Sequence, residues 1–236
     1  MQSYHQIFER AAARKGGAAA LEGLIAEWPA KGHAELVATP DDRWLAEMTR
    51  SVFQAGFNWQ VIDNKWPGFE TAFHGFDTRL NAAMSEEEFD AHLKDASIVR
   101  NGQKIASVRH NAKFLVDLAT EHGSASAFFA DWPDGDLVGL LDVMKKRAAR
   151  CAGETAMRLL RRMGKPAFIT TGDVSAALIE AGVLSQPPKN RKDYQAVQDA
   201  FNAWSSATGR DFNAISRTLA LSTGPSYEPG APPWPR

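Results

Sequence analysis

The stretch DDRWLAEMTRSVFQAGFNWQVI, residues 41–62, has the most regular pattern in this 236-residue sequence. Its apolar residues recur at spacings of three and four, as in a helix with one face against a core. Asp41 or Asp42 is a suitable N-cap for such a helix. A second row, of polar residues, consists of Glu47, Ser51, Gln54 and Asn58. The pattern predicts one helix that runs to about Ile62, with an apolar row and a polar row on either side of Gly56.

The glycine in the middle of this predicted helix needs an explanation. Gly56 would cost the helix roughly 1 kcal/mol relative to alanine, and such a glycine often marks a place where another backbone or a ligand approaches closely. The segment QAGFNW, residues 54–59, is therefore either the wall of a binding cavity or the contact to a neighbouring helix with the polar row facing water. The pattern leaves both interpretations open.

The rest of the chain is also mostly helical in pattern, because runs of β-branched residues are scarce. We predict a helix over residues 8–25, a break at residues 64–68, a short helix over 69–73 and a helix that Ser85 and Glu88 begin as a capping box. Further helices are predicted over residues 103–118, 136–150, 155–163, 173–181, 192–208 and 212–222. The fold class is thus all-α. We expect residues 1–222 to form one domain with two interleaved lobes and residues 223–236 a tail rich in proline and glycine.

Composition limits the kind of protein. Hydrophobic residues make up 44% and charged residues 23%, and the net charge is −1, which is ordinary for a globular protein. Cys151 is the only cysteine, so an internal disulfide and a cysteine-rich metal site are excluded. A signal peptide and a membrane-spanning run are missing from the pattern. We expect a cytoplasmic monomer that does not bind membranes.

Basic residues are concentrated in residues 145–165, where Glu154 is the only acid. The eight cations are Lys145, Lys146, Arg147, Arg150, Arg158, Arg161, Arg162 and Lys165. This local charge suits phosphate binding, but it also suits an ordinary solvated helix surface.

Several blocks carry a resemblance to a known family. QAGFNW is followed by aromatic residues and by Phe76-Asp77, and IVRNGQKI at residues 98–105 is similar to the family's IIRHRGKI. In their order and spacing these blocks resemble bacterial DNA-3-methyladenine glycosylase I, a helix-hairpin-helix DNA glycosylase, over roughly residues 45–184. The resemblance implies an all-α, two-lobed fold. It also implies a monofunctional enzyme without a cofactor that hydrolyses the bond to an alkylated purine, 3-methyladenine, in double-stranded DNA.

The resemblance assigns roles to residues of the polar row and its surroundings. Trp59 matches the tryptophan that stacks on the base, and Phe57 lies where the family has a hydrophobic residue near its wedge. Gln54 and Asn58 are expected on the cleft side, and Tyr4 with His5 is similar to a family Tyr-His pair. Two alternatives stay open: Trp59 as a core residue and Phe57 as plain packing.

The resemblance is weakest at the position of the family's pocket glutamate. The family has a glutamate eight residues before its pocket tryptophan, and Ser51 occupies that position here. Glu47, one turn earlier in the polar row, is the candidate replacement. We therefore name Glu47 and Ser51 as the candidate catalytic residues.

A DNA anchor is expected where two predicted helices meet near residues 163–172. The first turn of the second helix, with Thr170, Thr171 and Gly172, would present N–H groups to a phosphate. The surrounding cations Arg161, Arg162 and Lys165 would add salt-dependent binding, as would Lys104 in the turn before its helix. The alternative is a purely structural hairpin.

The family's zinc, held by two cysteines and two histidines, has no matching residues here, so we predict no metal. We expect the C-terminal segment to hold the chain ends instead. Two other functions remain open: a DNA-binding protein of the same fold with lost or altered catalysis, and a helical scaffold unrelated to DNA.

Overall fold

The structure is a computed structural model that describes residues 1–224. Within these residues the secondary structure is entirely helical, which confirms the all-α prediction. The chain divides into two compact units. One unit consists of residues 1–30, 134–138 and the described residues from 166 on, and the other of residues 31–133 and 139–165.

The unit that contains residues 31–133 holds the helices of the central sequence. They are α3 (His33–Val37), α4 (Asp41–Gln54), α5 (Trp59–Ala72), a 3-10 turn (His74–Phe76), α6 (Thr78–Ala82), α7 (Glu86–Lys94), α8 (Gly102–His122), α9 (Ala125–Asp131) and α11 (Gly153–Met163). Helix α10 (Leu137–Arg147) begins in the other unit and continues in this one. Helix α4 is central, since it contacts α5, α8, α9 and α11.

The core around α4 is built from large aromatic side chains. Trp44 stacks on Phe129 of α9 with ring centroids 4.0 Å apart. Phe53 meets Phe69 of α5 edge to face at 4.7 Å. All four rings are fully buried, so the apolar row of α4 faces a core as its spacing predicts.

The prediction of one continuous helix over residues 41–62 is wrong. Helix α4 ends at Gln54, and Gly56 has a left-handed backbone with φ of +67°. A Cβ added to Gly56 would meet nothing within 4 Å, so the glycine supplies a backbone conformation and not a close approach. Asn58 begins α5, because its side chain accepts from the N–H of Gln60 at 2.9 Å.

The predicted break at residues 64–68 is also wrong, since α5 runs through Pro67. A proline in a helix leaves the carbonyl group four residues earlier unpaired. That residue is Asp63, which is exposed, so water can hydrate the carbonyl group. The backbone of Ser97 does approach Gly68 closely, because a Cβ added to Gly68 would lie 2.5 Å from the carbonyl oxygen of Ser97. A glycine is therefore required at this position.

Other predicted elements differ from the structure at their ends. The single helix over residues 8–25 is two helices, α1 (Tyr4–Arg14) and α2 (Ala18–Ile25), because Gly16 and Gly17 both have positive φ. Ser85 caps α7 as predicted, with its hydroxyl accepting from the N–H of Glu88 at 3.1 Å. Three short helices, α3, α6 and α9, were not predicted.

The other unit is built from α1, α2, α12 (Gly172–Glu180), α13 (Arg191–Thr208) and α14 (Phe212–Ser222). Helix α14 contacts the other four. Of the predicted tail, Thr223 and Gly224 are described, and the Thr223 hydroxyl donates to the carbonyl oxygen of Asp173 at 2.9 Å. Residues 225–236, on which the expected role of the C-terminal segment depends, lie outside the described residues.

Candidate functional site

A cavity of about 270 Å³ lies where the end of α4, the α4–α5 turn and α11 meet. Trp59, the first residue of α5, forms one side of it and is 45% exposed. Phe57 in the adjacent turn is exposed to the same extent. The remaining lining residues are Ser51, Gln54, Ala55, Gly56, Glu154, Thr155, Arg158 and Arg162. The alternative that Trp59 is a core tryptophan is therefore wrong.

The polar row of α4 meets a cation from α11. Arg162 Nη1 donates to Glu47 Oε1 at 2.9 Å and to Gln54 Oε1 at 2.8 Å. The Ser51 hydroxyl donates to the same Glu47 oxygen at 3.2 Å. Ser51 and Gln54 are buried and the side chain of Glu47 is only 17% exposed. Glu47, Ser51 and Gln54 of the polar row thus face α11 and not water, whereas Asn58 is exposed at the start of α5 and does not line the cavity.

The same network continues to α5. Gln54 Nε2 donates to Asp63 Oδ1 at 3.2 Å, and Arg50 Nη1 lies 3.7 Å from the same oxygen. Gln54 therefore uses its oxygen on one side and its nitrogen on the other. Both the oxygen and the nitrogen of its side-chain amide are hydrogen-bonded, which fixes its orientation in the cavity.

Two guanidinium groups lie over the ring of Trp59. The Cζ atoms of Arg162 and Arg158 are 5.0 Å and 5.7 Å from the ring centroid. Arg158 is also bonded to Glu154, with Nε to Oε1 at 2.8 Å. From the sequence we assigned Arg158 only to the basic stretch of residues 145–165, and not to a binding site. The spacing of four between Glu154, Arg158 and Arg162 was the signal that all three share one helix face.

The start of α11 is held in place by α8. Asn111 accepts from the N–H of Ala149 at 2.7 Å and donates to its carbonyl oxygen at 3.2 Å. Arg150, next in this loop, has a positive φ of 59°. This loop leads into Glu154 and Thr155, so a buried amide on α8 positions one wall of the cavity.

Glu47 lines a second cavity, of about 560 Å³, and is not among the residues that line the one beside Trp59. The wall of this second cavity includes Arg43 and Arg50 of α4 and Trp66 and Glu70 of α5. Of the two candidate catalytic residues, Ser51 borders the Trp59 cavity directly. Glu47 reaches it through its hydrogen bonds with Ser51 and Arg162.

The structure contradicts the expected DNA contacts of two lysines. Lys104 is buried and its Nζ donates to the carbonyl oxygens of Phe53 and Ala55 at 3.0 Å and 2.9 Å. Burial lowers the pKa of Lys104, with a smaller contribution from Arg150. The ammonium group caps the carboxyl end of α4, where the helix dipole favours a cation.

Lys165 has the same kind of role at α9. It is 2% exposed, and its Nζ donates to the carbonyl oxygen of Trp132 at 2.5 Å and lies 3.4 Å from that of Ala130. Neither lysine presents its charge to a phosphate. The sequence could not separate them from surface cations, because a lysine that caps a helix and one that is solvated have the same local pattern.

The expected DNA anchor lies in the other unit. Thr171 caps α12, with its hydroxyl accepting from the N–H of Val174 at 3.3 Å, and Gly172 is exposed. Asp173 follows in the first turn, so this helix start already carries one carboxylate. Thr170 accepts from the hydroxyl of Ser175 through its carbonyl oxygen at 3.3 Å.

Tyr4 belongs to the same unit as the anchor. It is buried, and its hydroxyl group is 2.8 Å from that of Thr218 on α14. Burial raises the pKa of Tyr4. It lines a separate cavity with Phe8 and Arg210, so the structure gives it a packing role there.

Among residues 1–224, no cluster of three or more His, Cys, Asp or Glu side chains is arranged to hold a metal ion. Cys151 is buried, which raises its pKa to about 12. No helix in this part of the chain is both long and apolar enough to span a bilayer.

Comparison with known proteins assigns this chain to a family. The sequence model of the family described as methyladenine glycosylase matches residues 36–181, more than half of the chain. This chain belongs to the methyladenine glycosylase family. The resemblance to this family is thereby confirmed, and both Trp59 and Ser51 lie within the matched part of the chain.

Two curated relatives agree with this assignment. DNA-3-methyladenine glycosylase 1 of Escherichia coli (strain K12) is 37% identical over 65 residues, which are 28% of this chain and 35% of that protein. DNA-3-methyladenine glycosylase of Haemophilus influenzae is 24% identical over 122 residues, 52% of this chain and 65% of that protein. The matches thus span between a third and two thirds of these relatives.

A solved structure shows the same fold. A Glu-to-Gln mutant of 3-methyladenine DNA glycosylase I from Staphylococcus aureus matches with a TM-score of 0.51 and 15% identity. The match covers 76% of this chain and 98% of that one. The prediction of an all-α fold like that of this family is thereby confirmed.

Proposed function

We propose that this protein is a monofunctional DNA glycosylase that hydrolyses the N-glycosidic bond of alkylated purines, 3-methyladenine first among them, in base excision repair. It would act as a cytoplasmic monomer on double-stranded DNA without a cofactor. The observation that carries the proposal is the cavity beside Trp59, which combines an exposed indole ring, a fixed amide and a hydroxyl group in one place.

The cavity has the features that base recognition requires. A glycosylase must rotate the nucleotide out of the duplex and hold the base by stacking and by hydrogen bonds to its edge. Trp59 would supply the stacking surface, and Gln54 and Ser51 the polar contacts. Phe57, exposed in the turn beside them, would fill the gap that the rotated base leaves in the stack.

The chemistry needs little from the protein when the base is already cationic. A water oxygen forms a bond to C1′ of the deoxyribose, the N-glycosidic bond breaks, and its electron pair neutralises the methylated adenine, which leaves uncharged. The proton of the water passes to solvent. Ser51 would contact the base, and Glu47 would act as a positioning residue that orients Ser51 and Arg162.

DNA anchoring is proposed at residues separate from this cavity. Thr170, Thr171 and Gly172 remain the candidates for a phosphate contact, since Gly172 is exposed at a capped helix start. Asp173 would weaken that contact by its charge. Arg161 and Arg162 stay candidate cations, because neither is buried as Lys104 and Lys165 are.

The test is release of free 3-methyladenine from methylated duplex DNA by the purified protein. Trp59→Ala should lower the rate about ten-fold or more, because base stacking on an aromatic side chain contributes roughly 1–3 kcal/mol. Trp28→Ala is the matched control, since Trp28 is 52% exposed and lies outside the cavity. Absence of release by the wild-type protein, or equal loss in both variants, would reject the proposal.

A second candidate function is recognition of damaged or abasic DNA without base release. It is favoured by Ser51 in the position of the family's glutamate and by the engagement of Glu47 with Arg162. It predicts binding to an abasic duplex that weakens with salt, together with no released base. Base release sensitive to Trp59→Ala would exclude it.

A further inference from the structure

We propose that Arg150, in the loop between α10 and α11, binds a DNA phosphate next to the nucleotide that is rotated into the cavity beside Trp59. The inference rests on the proposed function, since it requires DNA at this cavity, and it adds a contact that neither base recognition nor the start of α12 includes. It comes from the backbone conformation of Arg150, from the partner of its guanidinium group and from its position beside the cavity.

The backbone of Arg150 is held in an unfavourable conformation. Its φ is +59°, a left-handed value that raises the free energy of a residue with a side chain but not of glycine. The conformation is fixed by the preceding residue, because the buried Asn111 bonds both the N–H and the carbonyl group of Ala149. A glycine would be more stable here if the loop only had to turn. The arginine therefore indicates a role for its side chain.

The guanidinium group of Arg150 has a neutral partner. Its Nη1 donates to Oε1 of Gln103 at 3.2 Å, and both residues are exposed. Arg147, three residues earlier, is instead paired with the carboxylate of Glu121. Arg150 forms no such ion pair within residues 1–224. Its positive charge is thus available to neutralise a phosphate.

Arg150 lies beside the turn that carries Phe57. Its partner Gln103 precedes Lys104, whose ammonium group bonds the carbonyl oxygen of Ala55 in that turn and is 5.8 Å from the centroid of the Phe57 ring. The charge of Arg150 acts on this ammonium group, because it is the second cause, after burial, of the lowered pKa of Lys104. The loop of Arg150 also continues into the first turn of α11, which lines the cavity. Arg150 is therefore close both to the ring proposed to enter the DNA stack and to the cavity proposed to hold the base.

This position suits a phosphate that flanks the rotated nucleotide. The nucleotide rotates about its own backbone, so the phosphates on its two sides stay in the strand and come close to the mouth of the cavity. A guanidinium group bonds a phosphate through two N–H groups, and a loop that is already fixed loses little entropy when it does so. The nearby carboxylate of Glu154 is neutralised by its hydrogen bond with Arg158. Arg150 would thus be a positioning residue that holds the strand while the base is in the cavity.

The experiment measures binding of the full chain to a duplex with a tetrahydrofuran abasic analogue over a range of salt concentrations. Arg150→Asn removes the charge and keeps the backbone, because asparagine adopts the left-handed region more readily than most residues. The slope of log K against log salt should become shallower by about 0.9, the contribution of one phosphate, with binding about ten-fold weaker at low salt. Arg150→Lys keeps a positive charge and should restore most of the slope.

A second measurement locates the contact. One phosphate at a time, on either side of the abasic analogue, is replaced by an uncharged methylphosphonate. At the contacted phosphate the replacement should weaken wild-type binding about as much as Arg150→Asn does, and it should not weaken the variant further. Additive losses at both flanking phosphates would overturn the inference.

Two variants serve as controls. Lys145→Gln removes an exposed cation of α10 that does not line the cavity, and Gln103→Ala removes the hydrogen bond of Arg150 but no charge. Both should keep the slope of the wild type. An unchanged slope in Arg150→Asn, an equal reduction in Lys145→Gln, or no binding by the wild type would each overturn the inference.

Release of free 3-methyladenine from methylated duplex DNA tests the proposed function separately. Release by the wild type together with an unchanged slope in Arg150→Asn would overturn only the phosphate contact. A shallower slope in Arg150→Asn without release of base by the wild type would support the phosphate contact and reject the proposed hydrolysis.

Discussion

The guanidinium group of Arg162 on α11 donates to the carboxylate of Glu47 on α4, with Nη1 and Oε1 2.9 Å apart. Both side chains are mostly enclosed, at 21% and 17% exposure. We expect a double-mutant cycle of Glu47→Gln and Arg162→Met to give a coupling energy of roughly 1–3 kcal/mol, because a charged hydrogen bond away from water is stronger than one at the surface. The coupling energy is measured by urea unfolding of the wild type, the two single variants and the double variant.

The control for this cycle is the pair Arg147 and Glu121, whose side chains are 34% and 46% exposed. Water screens it more strongly, so the same cycle should give a smaller coupling energy than the Glu47 and Arg162 pair. Equal coupling in the two pairs would show that the enclosure of Glu47 by α11 is unimportant for stability.

Lys104→Met should destabilise the protein by roughly 1–3 kcal/mol, because it removes two charged hydrogen bonds to the end of α4. It should also slow base release, since the carbonyl group of Ala55 belongs to the turn that carries Phe57. Lys113→Met on the same helix is the control, as Lys113 is exposed. The free energy of unfolding is measured in urea for both.

The same pair of variants tests the role first assigned to Lys104. If Lys104 contacted a phosphate, its removal would reduce the dependence of DNA affinity on salt and leave stability unchanged. We expect the reverse, a loss of stability with an unchanged salt dependence.

Gly68→Ala should cost roughly 1–3 kcal/mol, because the added methyl group would lie 2.5 Å from the backbone oxygen of Ser97, which cannot move freely. Gly23→Ala is the matched substitution: it also lies inside a helix, and its added methyl group meets nothing within 4 Å. It should stabilise by about 0.5–1 kcal/mol. Thermal unfolding of the two variants should give shifts of opposite sign.

Acid should destabilise the protein through His92. This ring is buried against Phe73, its Nε2 atom has no hydrogen-bond partner within residues 1–224, and burial lowers its pKa. Glu88 and Asp95 oppose that shift and His74 adds to it. The unfolded chain therefore takes up the proton at a higher pH than the folded one, and stability falls as pH drops below about 6.5.

Urea unfolding at pH values between 5 and 8 measures this effect. His92→Phe should reduce the loss of stability on acidification, whereas His5→Gln should not, because the side chain of His5 is 80% exposed. An identical pH profile for wild type and His92→Phe would contradict the prediction.

The α4–α5 region shows which features of the site were predictable. The spacing of apolar and polar residues predicted the buried face of α4 and the polar row beside it, because helical period is a local property. The turn at Gly56 was not predicted, since the apolar period continues through it in the sequence. Asn58, predicted as a base contact, is the N-cap that begins the next helix and does not line the cavity; the sequence could not separate the two roles, because Asn is suited to both.

The amino-acid sequence by itself determined the all-α class, the family and the presence of Trp59, Gln54 and Ser51 in one short segment, because each of these depends on residues close together along the chain. Only the tertiary structure decided which charged side chains lie beside these three residues. Arg158 and Arg162 come about a hundred residues later in the sequence, and they reach the cavity because α11 packs on α4. Tertiary packing also decided that Lys104 and Lys165 are buried and do not present their charges to a phosphate. It brought the carboxyl end of a helix within hydrogen-bonding distance of each ammonium group.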